Sequence, residues 1–251
     1  MDPILEARGL SKDFKGFCAV RNLDLTIRRG SIHALIGPNG AGKSTVFNLL
    51  TRFLDPSAGD ILFNGHSIAR KAPADVARLG MVRSFQISAV FPELSAHENV
   101  RVALQRTLGG AFAFWRSDRR LRQLDAEAHA LLDSVGLGGL GEHRAADLSY
   151  GRKRALEIAT TLALQPQMLL LDEPMAGMGR EDIQRIVRLI QDLGETHTVL
   201  LVEHNLSVVA ELSDVITVLQ RGQKLAEGTY REVSADARVT EAYLGSEHAA
   251  F

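Results

Sequence analysis

The chain has 251 residues, of which 45% are hydrophobic and 24% are charged, and its formal net charge is −1. This composition is typical of a globular protein with one large domain, and the near-zero charge excludes broad electrostatic capture of nucleic acid or of an anionic membrane. The single cysteine, Cys18, excludes an internal disulfide framework. Residues 1–10 lack the apolar segment of a signal peptide, and no apolar run approaches the roughly 20 residues that span a bilayer. The sequence therefore predicts a cytoplasmic chain without a membrane span.

The first part of the chain alternates between strand and helix patterns. Two strand patterns precede residue 28, and a third, at 31–36, leads directly into a glycine-rich segment. A helix pattern follows the glycines. The Asn-Gly pair at 64–65 then predicts a hairpin, and a short strand ends at Gln86.

Residues 87–165 carry almost no strand pattern. Ser95 and Glu98 have the spacing of a capping box that starts a helix, and residues 121–135 place apolar side chains on one helical face. The next helix begins with LSYGR at 148–152, the signature segment, in which Ser149 is an N-cap. A glycine in the first turn costs about 1 kcal/mol relative to alanine, and bare N–H groups there bind anions. The signature segment is therefore a predicted anion site.

The last part of the chain returns to the strand and helix alternation. The apolar run at 168–171 is typical of a central parallel strand covered on both faces. A helix, a second strand, another helix, a hairpin at 215–228 and a helical tail follow. Strand–helix alternation with one all-helical insert predicts an α/β core at 1–86 and 166–251 and a helical lobe at 87–165, within one domain.

The segment between the third strand and the first helix carries the pattern of a phosphate-binding loop. Its glycines let the backbone N–H groups face phosphate oxygens at a helix N-terminus. The lysine supplies charge to the β- and γ-phosphates, and the serine hydroxyl is a ligand for Mg²⁺. A glycine-rich turn without a ligand is the alternative, which this strand–loop–helix context disfavours. The segment, called the P-loop below, consists of Gly37, Pro38, Asn39, Gly40, Ala41, Gly42, Lys43, Ser44 and Thr45.

Polar residues follow other strand ends, where ligands of open α/β sheets bind. Asp172 is placed to hold Mg²⁺ through water, and Glu173 to act as general base on the attacking water. Two acids at a strand end more often cap a helix, but the P-loop favours catalysis here. Gln86 and His204 are predicted near the γ-phosphate and its water, although such a histidine is more often a capping or core residue.

These motifs, in this order and spacing, resemble those of ABC-type ATP-binding subunits over essentially the whole chain. The resemblance implies a P-loop NTPase core with a RecA-like parallel sheet, an antiparallel β subdomain and an inserted helical lobe. It implies ATP and Mg²⁺ as cofactors, with Gln86 also near the metal. Two subunits would pack head to tail, so that Ser149 and Gly151 bind the γ-phosphate of ATP on the opposite P-loop. Phe14 would stack on adenine, with packing among the first strands as the alternative.

A finer resemblance is to the ATP-binding subunits of bacterial branched-chain amino-acid-type importers, and it rests on residues 80–103, 148–174 and 216–245. It implies ATP hydrolysis coupled to solute translocation on the inner face of the plasma membrane. The implied partners are a second ATP-binding subunit, permease subunits and, indirectly, a periplasmic solute-binding protein, with no nucleic acid. A lipid or lipopolysaccharide exporter subunit, a soluble ABC ATPase and a non-catalytic nucleotide-binding module are the alternatives.

Three positions depart from the family pattern. Tyr150 stands where glycine is usual and Arg152 where glutamine is usual, but Ser149 and Gly151 are retained, so phosphate binding is expected. Gly179 stands where the loop after Glu173 usually has Asp or Asn, which affects communication between subunits more than hydrolysis.

Two apolar segments of the helical lobe are candidate docking surfaces. The first is an expected exposed turn, which the family resemblance assigns to a short permease helix and which contains Val90, Phe91 and Leu94. The second contains Phe112, Phe114 and Trp115, and it is either a patch for a membrane-embedded partner or the core of the lobe.

Overall fold

The computed structural model describes residues 2–84, 90–106 and 118–247, with the backbone alone for 118–123 and 244–247. Gln86, Phe112, Phe114 and Trp115 lie outside the described residues. The strands are β1 (Pro3–Phe14), β2 (Phe17–Arg28), β3 (Ile32–Ile36), β4 (Ala58–Phe63), β5 (His66–Ser67), β6 (Met81–Ser84), β7 (Met168–Asp172), β8 (Thr198–Val202), β9 (Val215–Gln220) and β10 (Gln223–Gly228).

The helices follow the predicted pattern with one addition, α2, which sequence reasoning missed. Its signal is Pro73 at the first helical position, with Asp75 in the first turn. The helices are α1 (Lys43–Leu50), α2 (Pro73–Arg78), α3 (Ala96–Gln105), α4 (Asp118–Ser134), α5 (Tyr150–Leu162), α6 (Arg180–Gly194), α7 (Leu206–Leu212), α8 (Tyr230–Ala235) and α9 (Ala237–Glu247). Within the described ranges, no helix has both the length and the apolar character to cross a bilayer.

Among the described residues, the larger sheet has six strands in the order β10-β9-β3-β8-β7-β6. Strands β3, β7, β8 and β9 run parallel, and β10 returns antiparallel to β9 as the predicted hairpin. Every residue of β3, β7 and β8 is buried, as expected for parallel strands covered on both faces. The carboxyl ends of these strands therefore meet at one edge, where the predicted site residues follow them.

The smaller sheet is antiparallel, with the order β2-β1-β4-β5. Its β4–β5 hairpin turns at Asn64 and Gly65, both of which have positive φ, so the hairpin predicted from this pair is confirmed. Apolar residues of β1, β2 and β4 join those of α1 in one buried cluster. The P-loop helix is thus supported by the antiparallel sheet as well as by the parallel one.

The chain forms two compact units. The first contains Met1–Arg83, Gln167–Pro174 and Ile190–Phe251, and the second contains Ser84–Pro166 and Met175–Leu189. The second unit holds α3, α4 and α5, where the sequence predicts a helical lobe. Residues Met175–Leu189, which the sequence reasoning assigned to the core, are grouped with this second unit.

Candidate nucleotide-binding site

The P-loop leaves β3 and enters α1 in a conformation that neighbouring backbone imposes. Gly37 has a φ of 151°, and a Cβ atom there would lie 2.3 Å from the carbonyl oxygen of Leu219. Gly42, with a φ of 102°, would bring a Cβ atom to 2.8 Å from the carbonyl oxygen of Ala19. Since both contacts are too short for any side chain, the glycines at these positions are required by packing as well as by phosphate binding.

The β9–β10 turn holds the P-loop in place. The Gly222 N–H donates to the Ala41 carbonyl at 2.9 Å, and the Gly222 carbonyl accepts from the Arg21 N–H of β2 at 2.9 Å. One turn therefore links the loop to the antiparallel sheet. The sequence signal for this contact is only a glycine between two strands, so sequence reasoning did not find it.

The P-loop and the β9–β10 turn border a cavity of about 550 Å³. The cavity is also lined by Arg238, Glu241 and Ala242 of α9. In the same helix, burial raises the pKa of Tyr243 to about 12. The helical tail, to which sequence reasoning gave no role, is thus a neighbour of the nucleotide loop.

Lys43 is buried, and its ammonium group donates to the carbonyls of Gly37 and Pro38 at 2.7 and 3.1 Å. Burial lowers the Lys43 pKa, while the charges of Glu173 and Asp172 raise it. The fold therefore brings together the cation and the two acids that sequence reasoning assigned to one site, although they are about 130 positions apart in the chain.

Asp172 ends β7 with a side chain that is 2% exposed, and Arg83 of β6 donates to its Oδ2 atom at 2.6 Å. Glu173 follows in the left-handed region with a φ of 45°, and its N–H donates to the Val202 carbonyl at 2.9 Å. Left-handed backbone is uncommon for a residue other than glycine and is concentrated at functional positions. The hydrogen bond to β8 thus fixes the backbone of Glu173 and with it the position of the Glu173 carboxylate.

His204 follows β8 with an exposed side chain. Its backbone N–H donates to the Glu203 carboxylate at 3.2 Å, and the two side chains are 4.0 Å apart. Glu203 is almost fully buried, so it fixes the backbone at His204 from inside the sheet. Sequence reasoning missed Glu203, whose signal is an acid at the end of an apolar strand.

The signature segment forms the predicted helix start. Ser149 caps α5 by accepting from the Arg152 N–H, and Tyr150 is exposed. Gly151 is buried beneath Asp182 of α6, since a Cβ atom at 151 would lie 2.4 Å from the Asp182 carboxyl carbon. Close packing against α6 thus explains why residue 151 is glycine, in addition to the predicted binding of an anion at this helix start.

Two predicted aromatic contacts are on the surface. Phe14 is 41% exposed with the Lys12 ammonium 5.1 Å from its ring centre, so a packing role among the first strands is disfavoured. Phe17, which pairs with Phe14 across the β1–β2 turn, is a second exposed ring that sequence reasoning missed.

In the second compact unit, Phe91 is 54% exposed, as expected, and the turn that contains it is held by hydrogen bonds to the Asn99 side chain.

Comparison with known proteins identifies this arrangement. Residues 20–176 match the ABC transporter family model, and residues 223–249 match the model of the branched-chain amino acid ATP-binding cassette transporter. The high-affinity branched-chain amino acid transport ATP-binding protein BraF of Pseudomonas aeruginosa is 40% identical over 253 residues, which cover 97% of this chain and 98% of the relative.

Solved structures agree in fold. The ADP conformation of MJ1267, an ATP-binding cassette of an ABC transporter, matches with a TM-score of 0.85 and 28% identity, covering 98% of this chain and 100% of that one. The dimeric structure of MJ0796, a bacterial ABC transporter cassette, matches with a TM-score of 0.76 and 25% identity, covering 90% and 99%. The chain belongs to the ABC transporter ATP-binding family, and the predicted fold is confirmed.

The match of residues 223–249 to the branched-chain amino acid model, together with the full-length similarity to BraF, defines the type of transporter within this family. The chain is an ATP-hydrolysing subunit of the branched-chain amino-acid transporter type. The predictions of family and of ATPase class are therefore confirmed.

Proposed function

We propose that this chain hydrolyses Mg²⁺·ATP in a site shared by two ATP-binding subunits, and that hydrolysis drives uptake of branched-chain or related hydrophobic amino acids through a permease. The observation that carries the proposal is that Asp172 and Glu173 lie close to Lys43 of the P-loop, so that the charges of both carboxylates oppose the lowering of the Lys43 pKa. A phosphate loop, a cation and two acids in one place are what phosphoryl transfer to water requires.

The nucleotide is proposed to lie along the P-loop. Backbone N–H groups at the start of α1 bind phosphate oxygens, and Lys43 exchanges its carbonyl partners for the β- and γ-phosphates. The exposed ring of Phe14 stacks on adenine. Charged phosphate oxygens are better acceptors for an ammonium group than neutral carbonyls, which favours this exchange.

The proposed protein ligands of Mg²⁺ are Ser44 and Asp172, together with Gln86. Their hydroxyl, carboxylate and amide oxygens suit this hard cation, which is usually bound through one or two carboxylates, substrate phosphates and water. In the part of the chain that the structure describes, no group of three or more His, Cys, Asp or Glu residues could hold a metal ion. When bound, the ion supplies charge neutralisation on the phosphate oxygens.

Glu173 is the proposed general base. Its N–H is tied to β8 through the Val202 carbonyl, so the residue is held rigidly at the sheet edge where the attacking water is expected. His204 and Gln86 are proposed to orient that water and the γ-phosphate. The burial of Glu203 supports the assignment of His204, because it fixes the neighbouring backbone.

The second half of each site is proposed to come from another subunit. Ser149 and Gly151 stand at the N-terminus of α5, where N–H groups and the helix dipole favour an anion. The dimeric form of the MJ0796 cassette supports an assembly of two such chains. The partner subunit is a second copy or a companion ATP-binding chain.

The wider assembly follows from the type of transporter. We propose that the chain binds permease subunits on the inner face of the plasma membrane, with a periplasmic solute-binding protein acting on the other side. The branched-chain amino acid transport named for BraF supports the solute class and favours an importer over a lipid exporter or a soluble ABC ATPase.

Reconstitution tests the proposal. Vesicles would carry the cognate permease and this chain, with the solute-binding protein supplied, and the Glu173→Gln chain would serve as the matched control. We expect ATP-driven leucine uptake with the parent chain and none with the variant, which should still bind ATP. Uptake that persists with Glu173→Gln contradicts the assignment of the base, and ATP-driven lipid export without leucine uptake would favour the exporter.

A further inference from the structure

Arg83 connects Asp172, the proposed metal ligand, to helix α1. The proposed mechanism gives Arg83 no role. Its guanidinium group donates to Asp172 Oδ2 at 2.6 Å and to Asn48 Oδ1 at 2.5 Å. The same group lies 5.6 Å from the ring centre of Phe47, which, like Asn48, belongs to α1. One cation thus bridges the end of β7 and the helix that follows the P-loop.

The pair is buried, with side-chain exposures of 11% for Arg83 and 2% for Asp172. An ionised carboxylate at such a depth is stable only when a cation or several donors compensate it. Arginine suits this place because its guanidinium group stays charged and its planar fork can serve two acceptors at once. Arg83 therefore supplies compensating positive charge at Asp172 through a direct hydrogen bond, in addition to the charge of Lys43.

We infer that Arg83 is a resident counter-cation of Asp172, and that it competes with the metal ion for this carboxylate when the metal–nucleotide complex binds. Arg83 is then a positioning residue that sets how strongly the site favours metal-bound over metal-free ATP. The inference rests on the proposed function, because it needs Asp172 to serve the metal.

The expected size of the effect follows from charge repulsion. Two cations that share one carboxylate lie about 6 Å apart, and a unit charge and a divalent charge at that separation repel, even in water, by enough to change an equilibrium constant about tenfold. Removing the charge of Arg83 should therefore strengthen binding of Mg²⁺·ATP about tenfold more than binding of metal-free ATP.

Nucleotide binding, rather than turnover, tests this inference. Affinity for a fluorescent ATP analogue is measured with excess Mg²⁺ and with excess EDTA, for the full chain carrying Glu173→Gln so that hydrolysis is slow. We expect Arg83→Gln to raise the ratio of the two affinities about tenfold. The matched control is Arg78→Gln, which removes the same charge from an exposed arginine of α2 and should leave the ratio unchanged.

Arg83→Lys keeps the charge, but its single ammonium group serves both acceptors less well. It should leave the ratio close to that of the parent chain. Arg83→Met also removes the charge, and it decides the question if Arg83→Gln does not fold. An unchanged ratio in either folded uncharged variant contradicts the inference, and a lower ratio would mean that Arg83 orients Asp172 for the metal. If the chain without changes at Arg83 showed no preference for Mg²⁺·ATP, the proposed metal role of Asp172 would fail instead.

Discussion

The buried His33 predicts a loss of stability in mild acid that a single substitution can isolate. His33 lies in β3, in the centre of the larger sheet, and is 1% exposed. Its Nε2 atom is 2.8 Å from the Thr217 hydroxyl, which itself donates to Glu227 at 2.8 Å. The hydroxyl proton points to Glu227, so the neutral imidazole donates from Nε2.

Burial, opposed by the charge of Glu227, lowers the pKa of His33 from 6.5 to about 4. The unfolded chain therefore binds a proton between pH 6.5 and pH 4 that the native chain excludes, and native stability falls as the pH falls through this window. Each pKa unit corresponds to 1.36 kcal/mol, so the loss between about pH 7.5 and about pH 5 is about 2 kcal/mol.

Urea unfolding at several pH values measures this loss, with His33→Gln as the comparison. Glutamine cannot titrate, yet its amide can donate to Thr217. Every other titratable group is present in both proteins, so the contributions of these groups cancel in the difference between the two pH profiles. We expect the profile of the variant to be flatter by about 2 kcal/mol over this range. Parallel profiles would show that His33 is protonated equally in the native and unfolded chains, and the reasoning from burial would then be wrong.

Further predictions concern the nucleotide site and the docking turn. Glu173→Gln should bind ATP but lose on the order of 10²–10⁴ in steady-state hydrolysis rate, and an unchanged rate would remove Glu173 as the base. Lys43→Ala should instead weaken nucleotide binding in a titration with a fluorescent analogue, because it removes charge from the phosphates. With ATP, the Glu173→Gln protein should elute as a dimer in size-exclusion chromatography, alone or with a companion subunit, and adding Ser149→Arg should return it to a monomer. Phe91→Asp should abolish co-purification of the permease without changing the melting temperature, whereas a clear drop in that temperature would mean that Phe91 supports the helical unit itself.

Several parts of the fold and of the site could be predicted from the sequence because their interactions are local. The P-loop lies within nine consecutive residues, and the capping box of Ser95 and Glu98 closes within one helical turn. The hairpin at Asn64 and Gly65 depends on the backbone freedom of two adjacent residues. In each case the residue types and their spacing are sufficient to predict the local structure.

Other contacts of the site had no local signal. Arg83 contacts Asp172, which is 89 positions further along the chain, and Gly222 contacts Ala41 over a still longer separation in sequence. These contacts depend on the strand order of the larger sheet, which places β6 beside β7 and β9 beside β3. No pattern within a single segment encodes that order.

The sequence by itself determined which chemistry is present: a phosphate loop, an acid pair at a strand end and a helix start suited to an anion. The tertiary structure decided how that chemistry is held. It placed Arg83 on the predicted metal ligand, set the β9–β10 turn against the P-loop and packed Asp182 onto Gly151. The physical reason is that motifs depend on short-range backbone geometry, whereas burial and charge pairing depend on which distant strands and helices the folded core brings together.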